Sequence, residues 1–239
     1  FLIVNILVVS TIGLVSSLLG IKPYLSANGI NYESLLVMCL LWGFAGSFIS
    51  LMISKFMAKM AYKLKPLDAS DPSFGYVVHA VNQYSKSAGI SKAPEVYIYD
   101  SPEVNAFATG PSKNNSLVAF SSGLLASMSR DEVEGVIAHE VSHVANGDMV
   151  TMALAQGVVN AFVMFLSRVA AFAISQALRS DDEEGPGLGP FAHMMLTFAL
   201  DMLFGFLCLP ILMWFSRYRE FRADAGAAKL AGTHKMVAA

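Results

Sequence analysis

Two histidines, His139 and His143, stand four residues apart, with Glu140 directly after the first. On a helix that spacing places both imidazoles on one face, one turn apart. Their ring nitrogens can then reach a single Zn²⁺ at about 2.0–2.1 Å. Glu140 is placed to take a proton from a water held beside the cation, the part of a general base in metal-assisted hydrolysis. A hydrolytic zinc keeps three protein ligands and leaves one position for water, so a third ligand is required. Glu220, in Glu220-Phe221-Arg222-Ala223-Asp224, is the best downstream candidate. Asp224 follows one turn later on the same face. A metal-bound imidazole usually gives its free N–H to a carboxylate that fixes its tautomer, and Asp224 suits that part. Taken alone, the stretch also reads as a surface helix of mixed charge, because Arg217, Arg219 and Arg222 surround Glu220.

The elements that must carry these residues are legible nearby. Ser129 followed by Glu132 is a capping box that marks a helix start. Val133, Ile137, Val141 and Val144 give that helix one apolar stripe, and Gly147 supplies a stop. Residues 74–88 read as an amphipathic helix and residues 95–99 as a strand. Residues 106–109 and 116–120 flank Gly110-Pro111-Ser112, which reads as the turn of a hairpin. Together these make a small α+β unit.

The rest of the chain is of different material. Of its 239 residues, 55% are hydrophobic and 14% charged, against nearer a quarter charged in a soluble domain. The deficit is concentrated. Residues 1–21 and 34–54 carry no charge, and each run is long enough to cross about 30 Å of hydrocarbon. Residues 149–178 and 191–215 are apolar apart from Arg168, His193 and Asp201, and the acidic, breaker-rich stretch 181–187 separates them. The expected architecture is an α-rich membrane protein with four transmembrane helices and a small α+β catalytic domain. Its parts would be a hairpin over residues 1–54, a first catalytic part over 55–148, a second hairpin over 149–216, and a second catalytic part over 217–239. The chain opens at Phe1 and stops at Ala239 in a helix-like stretch, so it reads as a piece of a longer protein, the last part truncated. Lys55, Lys59, Lys63 and Lys65 follow the second span, whereas the opposite loop holds Lys22. The positive-inside rule therefore puts the catalytic parts in the cytoplasm. Two crossings between His143 and Glu220 return the chain to its starting side, which brings the third ligand to the face that carries the histidines. Arg168 and Asp201 fall at similar depth in the second hairpin, and a charge there is costly unless paired, so they are expected to form an intramembrane clamp. Cys39 and Cys208 lie in apolar runs and read as buried apolar residues, neither disulfide-bonded nor metal-binding. A net charge of −2 gives no sign of a nucleic-acid partner.

The stretches Val104-Asn105-Ala106-Phe107-Ala108-Thr109-Gly110, residues 137–148 and residues 214–226, with the four-span layout, resemble the HtpX family of bacterial membrane zinc proteases, relatives of the CAAX prenyl endopeptidases. The combination of HExxH with the Asn-Ala-Phe segment and Arg-x-x-Glu-x-x-Ala-Asp at 217–224 is the specific part. The resemblance implies a zincin-like (gluzincin) catalytic domain binding one Zn²⁺ per chain through His139, His143 and Glu220. Glu140 would be the base and Asp224 the carboxylate that orients a histidine. It also implies a bacterial inner-membrane endopeptidase, active on the cytoplasmic side. Its substrates would be damaged or misfolded membrane proteins under stress, or other unfolded polypeptides. Asn105, Ala106 and Phe107 would form an edge along which extended substrate adds as a strand; for Asn105 a plain turn residue is an equal reading. Related enzymes bring a further donor to the oxyanion from the C-terminal part. His234 sits in no recognisable motif, His79 and His193 read as structural, and the donor stays unassigned. The alternatives are a metal-binding transporter built on Asp201, His193 and Arg168, or a non-catalytic membrane scaffold. The transporter leaves the capped HExxH helix and the Glu220–Asp224 pair without a purpose; a scaffold that has kept the metal would be told apart by activity before and after chelation.

Overall fold

The computed structural model describes residues 31–178 and 188–238. The apolar run 1–21 and the acidic stretch 181–187 lie outside them. In chain order the elements are α1 (Tyr32–Ala61), β1 (Lys65–Pro66), α2 (Gly75–Ser87), β2 (Glu95–Tyr99), β3 (Ala106–Ser112), β4 (Asn115–Ser121), α3 (Ser122–Ser127), α4 (Arg130–Asn146), α5 (Asp148–Ala177), α6 (Pro190–Ala231) and α7 (Thr233–Ala238). Three helices among the described residues, α1, α5 and α6, are long and apolar enough to cross a membrane, with mean hydropathies of 2.2, 1.9 and 2.1. The chain divides into two compact units. One comprises Phe1–Phe48 and Leu154–Met213, the other Ile49–Ala153 and Trp214–Ala239. Each of the three long helices contributes to both.

In the apolar unit, α1 and α5 pack through small residues. A Cβ on Gly43 would lie 2.5 Å from the Ala161 backbone nitrogen, and one on Gly157 would lie 2.6 Å from the Phe44 ring. Such close approach is how helices associate where lipid removes the hydrophobic driving force. Tyr32 and Phe165 meet edge to face at 5.7 Å beside fully buried Cys39. A hydrogen bond joins the two helices, Asn160 Nδ2 donating to Ser47 Oγ at 3.4 Å, and within α5 Gln156 Nε2 donates to Asn160 Oδ1 at 2.8 Å. The clamp expected between Arg168 and Asp201 is not formed among the described residues. Arg168 Nη1 donates instead to the Met164 carbonyl at 3.0 Å, one turn back on its own helix, and Asp201 Oδ1 is buried without a hydrogen bond. Similar depth in a hairpin fixes the height of two side chains, not the direction in which each helix turns them.

The second unit holds a four-stranded sheet in the order β1-β2-β4-β3. β2 and β4 run parallel, and the outer pairs are antiparallel. Strand β4 is central and buried from Ser116 to Ser121, whereas β3 is an edge. The hairpin turn falls at Lys113-Asn114, later than the sequence suggested. Gly110-Pro111-Ser112 lies within β3, where the register shifts between Thr109 and Ser112. A bulge uses Gly110 at φ 151°, and an edge strand tolerates a proline that cannot donate. Helix α2 buries Val77, Ala80, Val81 and Tyr84, and α4 buries Val133, Ile137, Val141 and Val144, all in one core with Val118 and Phe120 of β4. Two contacts fasten the ends. Lys55 and Lys59 of α1 reach Glu95 of β2 at 2.7 and 2.9 Å. Lys235 of α7 pairs with Asp131, at 3.0 Å, and with Glu134 of α4.

Candidate metal centre

Helix α4 begins as its sequence dictates. Ser129 Oγ accepts from Glu132 N and Glu132 Oε2 from Ser129 N, closing the capping box. Its apolar stripe faces the sheet, which turns His139 and His143 toward an open cleft. It ends at Gly147, left-handed at φ 70°, ψ 33°, a conformation that favours glycine. That turn starts α5 at Asp148 and carries its side chain back under the previous helix. Asp148 is 2% exposed, and its Oδ2 lies 2.6 Å from His143 Nδ1.

Glu220 comes from the far end of α6, and the structure brings it to both histidines. His139 Nε2 and His143 Nε2 are 3.1 Å apart. Glu220 Oε2 lies 3.2 Å from His143 Nε2 and 3.4 Å from His139 Nε2. A tetrahedral cation with bonds of about 2.0–2.1 Å separates its ligand atoms by about 3.3 Å, so the triangle has the size the cation needs. The chemistry of the donors agrees. Asp148 requires the proton of His143 on Nδ1, which leaves Nε2 an acceptor. Asp224 Oδ1 lies 2.9 Å from His139 Nδ1, close enough to hold the proton there electrostatically though off the ring N–H axis. Three acceptor atoms thus converge on one point. These three residues are the group among the described residues that could hold a metal ion.

Glu140 is 8% exposed. Burial pushes its carboxyl above the ordinary value, against the pull of the two imidazoles and of the Ala108 amide; a base is useful when its affinity for a proton is raised in this way. Burial would lower the His143 imidazole, but the Asp148 hydrogen bond and the Glu140 and Glu220 carboxylates outweigh it and raise it.

The cleft is lined on one side by Ala106, Phe107 and Ala108 of the edge strand and on the other by Met149 and Arg219. Phe107 is fixed by Tyr62 and Tyr99, with ring centroids 5.0 and 5.8 Å away. Asn105 does not line it. That residue is exposed and extends the β3–β4 ladder, its N–H donating to Ser121 Oγ at 3.1 Å and its carbonyl accepting from Ser121 N at 3.0 Å. His79 and His234 are exposed, and neither they nor His193 joins the three-residue group. Two residues of the site escaped the sequence reading. Asp148 is an acid in the first turn of a helix directly after a glycine stop, a signal available in the sequence. Arg219 reads in the sequence only as surface charge.

The profile of peptidase family M48 matches residues 72–239. Protease HtpX of Shewanella sp. strain W3-18-1 is 55% identical over 236 residues, 98% of this chain and 80% of that protein. Protease HtpX of Shewanella oneidensis is 53% identical over 239 residues, all of this chain and 81% of that protein. The crystal structure of S. mikatae Ste24p has the same fold, with a TM-score of 0.60 at 19% identity, over 96% of this chain and 57% of that one.

Proposed function

This chain belongs to peptidase family M48, as a relative of the HtpX proteases and a membrane metalloprotease, and on that footing we propose that His139, His143 and Glu220 hold one Zn²⁺ per chain and that Glu140 is the general base of its endopeptidase reaction. The observation that carries the reading is the triangle of three acceptor atoms, 3.1, 3.2 and 3.4 Å on its edges.

The bound cation supplies Lewis acidity, which polarises a peptide carbonyl and makes water more acidic. The chain does the rest. Asp148 and Asp224 keep the Nδ1 protons in place, so that both Nε2 atoms present lone pairs. Glu140 accepts a proton from the attacking water at its carboxylate and delivers it to the departing amine. Strand β3 offers unpaired edge backbone, onto which an extended substrate adds with Ala106 and Phe107 beside the scissile bond. Asn105 is better read as the turn residue that starts this edge. A site built from two histidines and a glutamate is of the gluzincin type, and the substrates are misfolded or damaged membrane proteins. The active site faces the cytoplasm of a bacterial inner membrane, as Lys55, Lys59, Lys63 and Lys65 suggest. Labelling of a cysteine placed at Lys113 in intact cells by an impermeant reagent would contradict that orientation.

Glu140→Gln keeps the shape of the side chain and removes the base. The variant is expected to retain stoichiometric metal while cleavage of an unfolded casein substrate falls by about 10²–10⁴-fold. Near-normal cleavage by that variant eliminates the assignment.

A further inference from the structure

Arg219 is the one arginine or lysine lining the cleft among the described residues. Its side chain is 14% exposed, and a charged group of this length is rarely so buried unless paired. Nη2 lies 3.4 Å from Glu220 Oε1, the oxygen turned away from the imidazoles. Nη1 donates at 3.4 Å to the main-chain carbonyl of Asp148, the residue whose carboxylate holds His143. One guanidinium therefore touches the residues behind two of the three ligand atoms. The contact with Glu220 is not the ordinary pairing of a helix surface. Neighbours in sequence do not face each other on a helix, so both side chains must turn into the cleft to meet.

We propose that Arg219 is a positioning residue of the metal centre. Its fork holds Glu220 Oε1 and the Asp148 carbonyl together, so that Glu220 presents Oε2 alone and the start of α5 stays seated beneath His143. A planar fork can bridge two acceptors in fixed geometry, whereas an ammonium group is a single point charge. The inference rests on the metallopeptidase reading and goes beyond it.

The test uses the whole chain in detergent. Zinc affinity is measured by competition with a chromophoric chelator, and the visible spectrum is recorded after Co²⁺ loading, for wild type, R219Q and R219K. R219Q is expected to bind zinc about 10- to 100-fold more weakly, the range for residues that support metal ligands. Its Co²⁺ bands should weaken as Glu220 is freed to engage through both oxygens. R219K should fall between R219Q and wild type. If R219Q yields no folded protein by circular dichroism, R219K decides alone, by loss of affinity with a changed Co²⁺ spectrum. Affinity within about twofold of wild type and an unchanged spectrum in the folded variants would overturn the proposal and leave the metal site standing. A wild-type chain that binds no stoichiometric zinc would overturn the site itself, and the proposal with it.

Discussion

At the scale of single residues, the site depends on which nitrogen of each histidine carries the proton. His143 Nδ1 is held at 2.6 Å by Asp148, itself 2% exposed, whereas Asp224 sits beside His139 at 2.9 Å with a half-exposed carboxylate. The buried, aligned partner should therefore matter more. Asp148→Asn can still accept through its amide oxygen but loses the charge. Zinc affinity by chelator competition is expected to fall about 10- to 100-fold, and by less in Asp224→Asn. Equal losses in the two variants would show that burial does not rank them. The HExxH pair and the Glu220–Asp224 pair were legible in the sequence because helical spacing sets which side chains share a face. Asp148 follows no such spacing. It reaches His143 because left-handed Gly147 reverses the chain between two helices, a three-dimensional event marked in the sequence only by a glycine followed by an acid.

At the scale of elements, α6 must approach α4 closely enough for Glu220 to meet the histidines. Gly226 permits it: a Cβ there would lie 2.7 Å from Ser142 Oγ. Ser142 is 3% exposed, and its hydroxyl already donates to the Ala138 carbonyl at 2.7 Å, so it has nowhere to swing. Ala223 and Ala227, fully buried, continue the same narrow strip. Gly226→Ala is expected to cost about 1–3 kcal/mol by overpacking, read as a lower thermal midpoint in detergent. Zinc affinity should drop as well, because Glu220 and Asp224 ride on the displaced helix. Combining it with Ser142→Gly removes the obstacle and should restore the affinity. An unchanged midpoint and affinity in the single variant would contradict this packing. The sequence motif contained these small residues, but spacing alone does not tell a packing strip from an ordinary helix face.

The end of α1 shows a different element-scale effect. Burial would raise the Glu95 carboxyl, but hydrogen bonds from Lys55, Lys59 and Tyr97 outweigh it and hold it at about 2. A carboxyl whose folded value lies below its unfolded value of about 4.3 stabilises fully above that pH, and loses the contribution as pH falls toward 2. With the side chain 40% exposed, solvent screening keeps the contribution under about 1 kcal/mol. Wild type should melt slightly above Glu95→Gln at pH 7, and the gap should close between about pH 5 and 2. A gap that widens on acidification reverses the sign and refutes the attribution.

For the whole molecule, the problem is that residues far apart in sequence must end at a single point. Long uncharged runs reveal apolar helices plainly, since length and composition suffice. Which way a side chain points around such a helix is not written there. That is why Arg168 and Asp201, expected at similar depth, form no ion pair among the described residues, while Gly43 and Gly157 mark the α1–α5 contact. X-ray absorption at the zinc edge of the loaded wild-type chain tests the convergence most directly. The account predicts one zinc per chain with two imidazoles and oxygen donors at about 2.0–2.1 Å. Fewer than two imidazoles, or a sulfur ligand at about 2.3 Å, would contradict it.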